Sequence, residues 1–360
     1  MCSGIHTSYE PLSLFVRRYG SKLPPDQFYW AVNRAYHAAE APVYRRLHAD
    51  HWEELEPVWN YLLRSALDKW PKSGLNERKI RILDVGAGTG LVGDFLSRLC
   101  PERVAELVCL DPSREMLDQT KLQARTWPFR THLVQGLLSS IAGHGLFDVV
   151  TVNSVLHHVV EIDRFFCDVA ARLKNGGLLL TAQDGVKSSA RNAILAERKA
   201  ETERRRSEQC DRSLSRRVLS GTPIGCLIRK LQPSLARNAA QAKIDMEGIF
   251  RLSHEVVNAT NAALVRDGVI QRPMSAEDIW AVTDFHVPSP NGVGEGFDVS
   301  ELSCLCDRLH LVSWRTYHYH GVHWFALTQK QRAKERILWE TNDPNGMLFC
   351  SIWCKEASAG

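Results

Sequence analysis

The sequence RILDVGAGTGLVGDF, residues 81–95, carries the strongest fold signal in this chain. An apolar run leads into three glycines, Gly86, Gly88 and Gly90, and a second apolar run follows them. This order predicts a β-strand, a loop almost without side chains, and then a helix. The backbone N–H groups of such a loop, together with the positive end of the helix, face a ligand. The stretch therefore predicts a binding loop at the end of a buried strand.

The spacing of the glycines excludes two common phosphate-binding loops. The dinucleotide fingerprint G-x-G-x-x-G requires a glycine where Leu91 stands, counted from Gly86. A P-loop requires Gly-Lys-Ser/Thr after the glycines, and no such sequence follows. The motif is instead G-x-G-x-G preceded by Asp84, and a second acid, Asp111, ends the next apolar run 21 residues after Gly90. A carboxylate at that strand tip is placed to accept hydrogen bonds from ribose hydroxyls.

From residue 79 onward, strand and helix patterns alternate. The predicted strands are 79–86, 106–112, 131–136, 147–155 and 177–184, and the predicted helices between them are 91–100, 113–125 and 162–174. Near-continuous apolar strands that alternate with helices indicate a parallel sheet covered on both faces. The predicted fold class is therefore α/β. It is a Rossmann-like, mostly parallel sheet with helices on both faces, an N-terminal helical extension and a helical insertion after strand 5.

Four segments follow from this pattern. Residues 1–75 are aromatic-rich at helical spacing and form an N-terminal helical extension or lid, and residues 76–184 form the binding core. Residues 185–298 are helix and loop, a helical insertion predicted to be a substrate-binding cap. Residues 299–360 hold two late strand patterns around a helix at 329–340, which are predicted to complete the sheet.

The composition bounds the class of protein. The chain has 360 residues, of which 44% are hydrophobic and 24% charged, as in an ordinary soluble protein. Its N-terminus lacks the apolar run of a signal peptide, and no stretch approaches the roughly 18 apolar residues of a membrane span. The ten cysteines have no repeating spacing, which favours reduced thiols. We predict a cytoplasmic protein without a membrane partner.

The positive charge is concentrated in one segment. The net charge is +4, yet residues 191–240 contain twelve basic and five acidic side chains. Such a segment forms a solvated helical face, or it attracts an acidic partner or nucleic acid.

Three motifs carry a resemblance to a known family. ILDVGAGTG (82–90), LDPSREML (110–117) and the block FDVVTVNSVLHHVVEIDRFFCDVAARLKNGGLLL (147–180) resemble motifs of the class I S-adenosylmethionine-dependent methyltransferases. The resemblance covers about residues 79–184. It implies an S-adenosylmethionine-binding core, and the long block favours the branch of the family that methylates small molecules.

The resemblance also implies roles for individual residues. The methionine end of the cofactor is held by Asp84 and the backbone of Gly86, Ala87, Gly88 and Gly90. Asp111 binds the ribose, with Pro112, Ser113 and Met116 beside it, Gln135 and Gly136 at the adenine edge, and Asn153 near the amino-acid moiety. Leu137 stands where the family usually has an acid that binds the adenine amine. Adenine recognition then falls to backbone groups or to Ser139 and Ser140.

Two adjacent histidines are the candidate catalytic residues. His157 and His158 come just after the predicted fourth strand, where the transferable methyl group points by the resemblance. A histidine pKa near 6.5 suits removal of a proton at neutral pH. The alternative is that both rings only pack and form local hydrogen bonds.

Polar side chains among aromatic ones mark a candidate acceptor site outside the core. The segment 278–297 ends in a Pro/Gly-rich loop, which is typical of a substrate lid or of an ordinary capped helix end. By the resemblance, N-terminal extensions close over the cofactor. The predicted substrate-binding residues are Tyr36, His37, Tyr44, Trp280, Asp284 and His286.

The sequence HYHGVH does not carry the ligand set of a metal site. His318, His320 and His323 have no carboxylate or cysteine at ligand spacing in that stretch. No metal is predicted.

The favoured function is methyl transfer to O, N or C of a small organic molecule. A second hypothesis, methylation of a macromolecule, is prompted by the basic segment. It is disfavoured because residues 153–156 are Asn-Ser-Val-Leu rather than an Asp/Asn-Pro-Pro-Tyr/Phe motif. Nucleic acid is therefore not the expected partner. A third hypothesis is that the protein binds the cofactor without transferring its methyl group. It stays open because Leu137 stands where the family usually has the acid that binds the adenine amine. The sequence gives no prediction of oligomeric state.

Overall fold

A computed structural model describes residues 8–69, 79–187, 252–287, 294–321 and 327–356, with residues 193–198, 200, 201, 204, 292 and 324. Most of the basic segment 191–240 and much of the insertion 185–298 lie outside the described residues. The strands are β1 (Ile80–Val85), β2 (Val104–Asp111), β3 (Arg130–Gln135), β4 (Phe147–Asn153), β5 (Leu173–Gly185), β6 (Leu309–Tyr317) and β7 (Leu348–Lys355).

All seven of these strands belong to one sheet with the order β3-β2-β1-β4-β5-β7-β6. Strands β1 to β5 are parallel, β7 runs antiparallel to β5, and β6 runs antiparallel to β7. The order reverses between β1 and β4, so the loops after these two strands open a crevice at the carboxyl ends of the strands. The predicted α/β fold class is confirmed.

Helices precede the sheet, connect its strands and follow β5. They are α1 (Ser13–Arg18), α2 (Pro25–Glu40), α3 (Tyr44–Leu47), α4 (His51–Glu54), α5 (Glu56–Lys69), α6 (Leu91–Leu99), α7 (Arg114–Ala124) and α8 (Ile162–Arg172). Later helices cover residues 252–266, Ala276–Thr283, Val299–Leu302 and Gln329–Glu340. In the described part of the chain, no helix combines the length and the apolar character needed to cross a bilayer.

The predicted helix 162–174 was too long at its C-terminal end. Helix α8 ends at Arg172, because Leu173 is already extended and pairs with Phe147 of β4. Glycines at positions 176 and 177 stopped the helical pattern in the sequence, but strand pairing begins before them.

The two faces of the sheet are covered by separate clusters. On one face the N-terminal helix α5 and helix α6 bury Trp59 and Phe95, whose rings stack. On the other face α8 buries Phe166 against Trp353 of β7. Burial of such large apolar side chains is the main source of stability for the layers.

A third cluster joins the N-terminal helices to the insertion. Residues 8–40 and 252–287, called the cap below, share a core that includes Phe28, Val32, Ile279 and Phe285 and that also contacts Val160 after β4. The carboxylate of Asp278 accepts hydrogen bonds from the Tyr19 hydroxyl and from Arg18. The cap is therefore one packed unit made from two distant parts of the chain.

Trp127 packs against the helix that follows the glycine loop. A Cβ atom at Gly93 would overlap its ring, and one at Gly90 would stand 3.0 Å from it. The indole N–H donates to Asp94 at 2.9 Å, which limits movement of the ring. The glycines of α6 thus let an indole lie directly under the binding loop.

We expect Gly93→Ala to lower the free energy of unfolding by about 1–3 kcal/mol, the usual cost of overpacking. In an exposed helix the same change would stabilise by about 1 kcal/mol. Urea unfolding of Gly93→Ala and of a control, Gly143→Ala, measures the difference. A Cβ at Gly143 meets nothing within 4 Å. Equal stability of the two variants would show that the ring of Trp127 is free to move.

Candidate active site

The glycine loop is tied to the neighbouring strand by backbone hydrogen bonds. The N–H groups of Gly86 and Ala87 donate to the carbonyl of Leu110 at 2.8 and 3.1 Å. The carboxylate of Asp111 then accepts from Gly88 N–H and from Ser113 N–H, each at 2.8 Å. One buried acid at the end of β2 therefore fixes the loops after β1 and β2 together. Burial raises the pKa of Asp111, although these two hydrogen bonds act in the opposite direction.

Asp84 presents an unsatisfied oxygen to the loop. Its Oδ1 accepts from the hydroxyl of Thr151 at 2.7 Å, while its buried Oδ2 has no partner among the described residues. Burial raises the pKa of Asp84 to about 7, against the Thr151 hydrogen bond that lowers it. A buried acceptor without a donor is costly. The site is thus suited to a ligand that brings a donor, above all a cationic one.

Gly88 leaves the space in front of the loop open. Its φ is +54°, and an added Cβ would meet only the carbonyl of Gly86, at 3.9 Å. Gly86 differs, because a Cβ there would overlap the side chain of Val155. A glycine at position 86 therefore leaves room for the side chain of Val155, whereas a glycine at position 88 keeps the space in front of the loop open for a ligand.

A cavity of about 1060 Å³ adjoins the loop after β2. Its core wall includes Pro112, Ser113, Gln135 and Leu137, and its cap wall is formed by helix α2 and residues 252–266. Gly136 N–H donates to the backbone carbonyl of Asp111 at 3.0 Å, and Met116 N–H donates to the Ser113 hydroxyl at 3.2 Å. The residues predicted for the ribose and adenine thus lie together on one side of the crevice.

Asn153 lies in a hydrogen-bonded chain rather than alone. Its Oδ1 accepts from the indole N–H of Trp59 at 3.0 Å, and its Nδ2 donates to Gln183 at 3.0 Å. The amide nitrogen of Gln183 is 3.1 Å from the His51 ring of α4. The N-terminal helices therefore reach the ends of β4 and β5 through polar contacts as well as apolar ones.

His157 is held by an acid at the end of the next strand. Asp184 of β5 accepts from the backbone N–H of His157 at 3.0 Å and bonds its Nδ1 at 2.7 Å. Burial would lower the pKa of His157, but the carboxylate raises it above its ordinary value. The ring is thereby fixed in orientation, and its charged form is favoured.

His158 has the opposite electrostatic environment. Its Nδ1 lies 2.7 Å from the backbone carbonyl of Thr283, and since a carbonyl only accepts, Nδ1 carries the proton. Burial lowers the pKa of His158 well below its ordinary value, and the charges of His157 and His37 lower it further. The ring is neutral near pH 7, with the lone pair on Nε2. Within the described residues, Nε2 makes no hydrogen bond.

Asp284 completes a polar cluster with the two histidines. One ligand-type atom of each of His157, His158 and Asp284 lies within 4.8 Å of the other two. Asp284 Oδ1 accepts from the Thr283 hydroxyl at 3.2 Å and stands 3.6 Å from Nδ1 of His158. Desolvation raises the pKa of Asp284, while the charges of His157 and His37 lower it less strongly. These three residues are called the His–Asp cluster below.

His37, on helix α2 of the N-terminal extension, lies beside this cluster. Its ring meets that of His158 edge-on at 5.3 Å between centroids. Burial would lower the pKa of His37, but Glu40 raises it. Burial would raise the pKa of Glu40, and hydrogen bonds from His37 and His48 instead lower it to about 2. A ring on α2 whose charged form is favoured therefore stands beside the neutral ring of His158.

The remaining predicted substrate residues differ in their surroundings. His286 is buried, with Nε2 2.9 Å from the Val159 carbonyl and its backbone N–H bonded to His157. Tyr36 donates to Glu40 at 3.3 Å, and the pKa of Tyr44 is raised by burial and by nearby acids. Trp280 is 40% exposed. His286 thus holds the backbone of the turn after β4, whereas the two tyrosines lie near the cluster.

The histidines of HYHGVH have structural partners. His318 Nδ1 bonds Glu54 of α4, and His320 Nδ1 bonds Glu335 at 2.6 Å. His323 lies outside the described residues.

Sequence reasoning missed Asp184, Thr283 and Glu40. Asp184 had a usable signal, because it ends a strand as Asp84 and Asp111 do. Thr283 acts through its backbone carbonyl and Glu40 through contacts made on folding, and neither leaves a pattern in the sequence.

Comparison with known proteins finds a methyltransferase domain in the core of the chain. Residues 83–179 match the family model of a methyltransferase domain. An uncharacterized protein of Synechococcus is 37% identical over 102 residues, covering 28% of this chain and 24% of that protein. The ubiquinone biosynthesis O-methyltransferase of Bradyrhizobium diazoefficiens is 28% identical over 158 residues, covering 40% of this chain and 61% of the relative. The crystal structure of the N-methyltransferase NodS of Bradyrhizobium japonicum is 18% identical, with a TM-score of 0.33, over 44% of this chain and 76% of that one.

The family match and the sheet order identify the core of this chain as a class I S-adenosylmethionine-dependent methyltransferase domain. The resemblance seen in the sequence and its cofactor, S-adenosylmethionine, are confirmed. The chain spans 24% and 61% of the lengths of the two curated relatives, so these matches concern only part of each protein.

The residues present fit this cofactor. The unpartnered Oδ2 of Asp84 suits an ammonium group, and the open space at Gly88 suits an extended ligand lying against the backbone. The carboxylate of Asp111 retains lone pairs for hydroxyl donors beyond its two backbone bonds.

We expect Gly88→Ala to weaken binding of S-adenosylhomocysteine at least tenfold, because the methyl group would occupy the space in front of the loop. Gly176→Ala is the matched control. Gly176 also has a positive φ, +74°, and a Cβ there meets nothing within 4 Å. Titration calorimetry measures both affinities, and thermal unfolding measures the shared backbone strain. Equal affinities in the two variants would contradict the assigned face of the loop.

Proposed function

We propose that this protein is a methyltransferase that transfers the methyl group of S-adenosylmethionine to an O, N or C atom of a small organic molecule. The observation that carries the proposal is the meeting of two features at the carboxyl ends of the central strands. One is the glycine loop with the unpartnered oxygen of Asp84. The other is the neutral ring of His158 with its available Nε2.

The cofactor residues are assigned as the sequence predicts. Oδ2 of Asp84 would bind the ammonium group, and Asp111 the ribose hydroxyls. The other proposed cofactor contacts are Gly86, Ala87, Gly88, Gly90, Pro112, Ser113, Met116, Gln135, Gly136 and Asn153. The Asn153 amide is engaged at both ends, so it supports the site by holding Gln183. When bound, S-adenosylmethionine supplies an electrophilic methyl group on a sulfonium.

His158 is the proposed proton acceptor. An O–H or N–H nucleophile must lose its proton as it is methylated, and Nε2 of the neutral ring accepts it. The Thr283 carbonyl fixes the required tautomer, since it takes the Nδ1 proton. His157, whose charged form Asp184 favours, stabilises the negative charge that develops on the acceptor atom.

Two observations support a small acceptor. The cap lies over the carboxyl ends of the strands, since Tyr29 of α2 donates to the backbone carbonyl of His158 and Thr283 bonds its ring. A concave site with one wall supplied by the cap suits a small molecule better than a long polymer. The curated relative from Bradyrhizobium diazoefficiens is named for O-methylation in ubiquinone biosynthesis, which favours oxygen as the acceptor atom.

Mass spectrometry tests the function. Incubation of the protein with S-adenosylmethionine and a metabolite extract is expected to yield a product heavier by one methyl group, with release of S-adenosylhomocysteine. With that acceptor, His158→Ala should lower kcat about 10²–10⁴-fold, the usual contribution of a general base. Cofactor affinity should stay within about threefold, or roughly 0.7 kcal/mol.

The control for this variant is His132→Ala, which removes an exposed histidine that pairs with Glu106 on β2. Equal loss of cofactor affinity and turnover in His158→Ala would place His158 in the cofactor site. Cofactor binding without any methylated product would favour the hypothesis of binding without transfer.

The pH dependence of turnover tests the electrostatics. The charge of His37 lowers the pKa of His158, so His37→Gln should raise that pKa. Turnover requires neutral His158, and the acidic limb of kcat/KM should therefore move to higher pH in the variant. An unchanged limb, or a shift to lower pH, would contradict the assignment of His158 as the base.

A further inference from the structure

We infer that the His–Asp cluster holds one divalent transition-metal cation beside the methyl acceptor. The role given to the cation rests on the proposed function, whereas the test of cation binding does not. Among the described residues, His157, His158 and Asp284 are a group whose ligand-type atoms lie within 4.8 Å of one another. Two imidazoles and one carboxylate on a single side of a cation are a donor set that divalent iron and similar metals accept.

Both histidine rings make the hydrogen bond that metal-binding histidines usually make through the ring nitrogen that does not bind the metal. A ligating histidine almost always donates its other ring N–H to a carboxylate or a backbone carbonyl. His157 bonds the Asp184 carboxylate through Nδ1, and His158 bonds the Thr283 carbonyl through Nδ1, both at 2.7 Å. Each ring is therefore fixed with Nε2 directed away from its support.

The charges around the cluster also match a cation. Asp284 is only partly exposed and makes one described hydrogen bond, from Thr283, through Oδ1. Asp184 stands behind His157 with a second buried oxygen that has no partner among the described residues. Together the two carboxylates offset a 2+ charge. The loaded site would be close to neutral once His157 has given up its proton, since Glu40 offsets the charge of the neighbouring His37.

The chain can close around the ion without rebuilding the fold. The ligand-type atoms stand within 4.8 Å of one another and must draw together to hold a cation, since ligand atoms lie about 2.0–2.2 Å from a bound zinc ion. His158 and Asp284 have side chains that are 22% and 33% exposed, and Asp284 follows the end of helix Ala276–Thr283. Three protein ligands leave coordination positions open. An acceptor hydroxyl bound there would lose its proton more readily, because a cation lowers the pKa of an oxygen that it binds.

Nε2 of His158 cannot bind a cation and accept a proton at once. In the metal-bound enzyme, the cation would favour the deprotonated acceptor, and the proton would pass to bulk water instead of to the ring nitrogen. Methyl transfer itself remains the same reaction in either state.

Cobalt titration of the full-length protein, stripped of metal with a chelator, tests the inference without any acceptor. We expect one equivalent of Co²⁺ to bind with visible absorption bands of a nitrogen- and oxygen-ligated site, and Zn²⁺ to displace it. His158→Ala and Asp284→Asn should each abolish the bands. Asp184→Asn, which alters only the support of His157, should weaken binding about 10–100-fold.

His132→Ala, the exposed histidine beside a carboxylate, is the matched control and should bind as the parent does. Titration of S-adenosylhomocysteine in every variant shows whether the fold and the cofactor site are intact. If cobalt binds no more tightly to the parent than to His158→Ala, or if all variants keep the bands, the inference is wrong. Full turnover after metal removal would also overturn it and would leave the proposed function standing. If the parent protein did not bind S-adenosylhomocysteine, the proposed function would instead be wrong.

Discussion

Two buried carboxylates at strand ends must find hydrogen-bond donors, and the architecture of the site depends on how they do so. Asp111 ends β2 and binds the N–H of Gly88 in the loop after β1. Asp184 lies near the end of β5 and binds the N–H of His157 in the turn after β4. Each acid thus reaches from an outer strand to the loop of its inner neighbour, on opposite sides of the crevice between β1 and β4. In the proposed function, one carboxylate shapes the cofactor side of the crevice and the other orients the acceptor side.

The histidine pair shows how one turn can carry two electrostatic roles. His157 and His158 are adjacent in the chain, and their ring centroids are 4.0 Å apart. The partner of one is a carboxylate and that of the other is a backbone carbonyl, so their pKa values move in opposite directions. Groups driven apart in this way are typical of sites that need both an acid and a base. The cap supplies the carbonyl, so the chemistry of the turn is set from outside the core.

The sequence was sufficient for the core because its signals are local. The strands, the glycine loop and the acids Asp84 and Asp111 follow from apolar runs and from residues at their ends, and the parallel sheet brings those ends to one edge. The position of His286 could not be inferred in the same way. It was predicted to bind substrate and remains a candidate, yet its ring bonds the Val159 carbonyl, a contact that leaves no trace in spacing. The hydrogen bond between His158 and the Thr283 carbonyl joins residues 125 positions apart, so it too could not be predicted from the sequence.

The cap has a consequence for how the protein is made. Tyr19 and Asp278, which join its two parts, are 259 residues apart in the chain. A ribosome adds about 5–20 residues per second, so α2 emerges on the order of ten to fifty seconds before helix Ala276–Thr283. Through that interval the apolar face of α2, with Phe28 and Val32, lacks its native partners from the insertion. Helix α2 is therefore synthesised well before its partners, and its apolar face stays open to chaperones until helix Ala276–Thr283 has emerged.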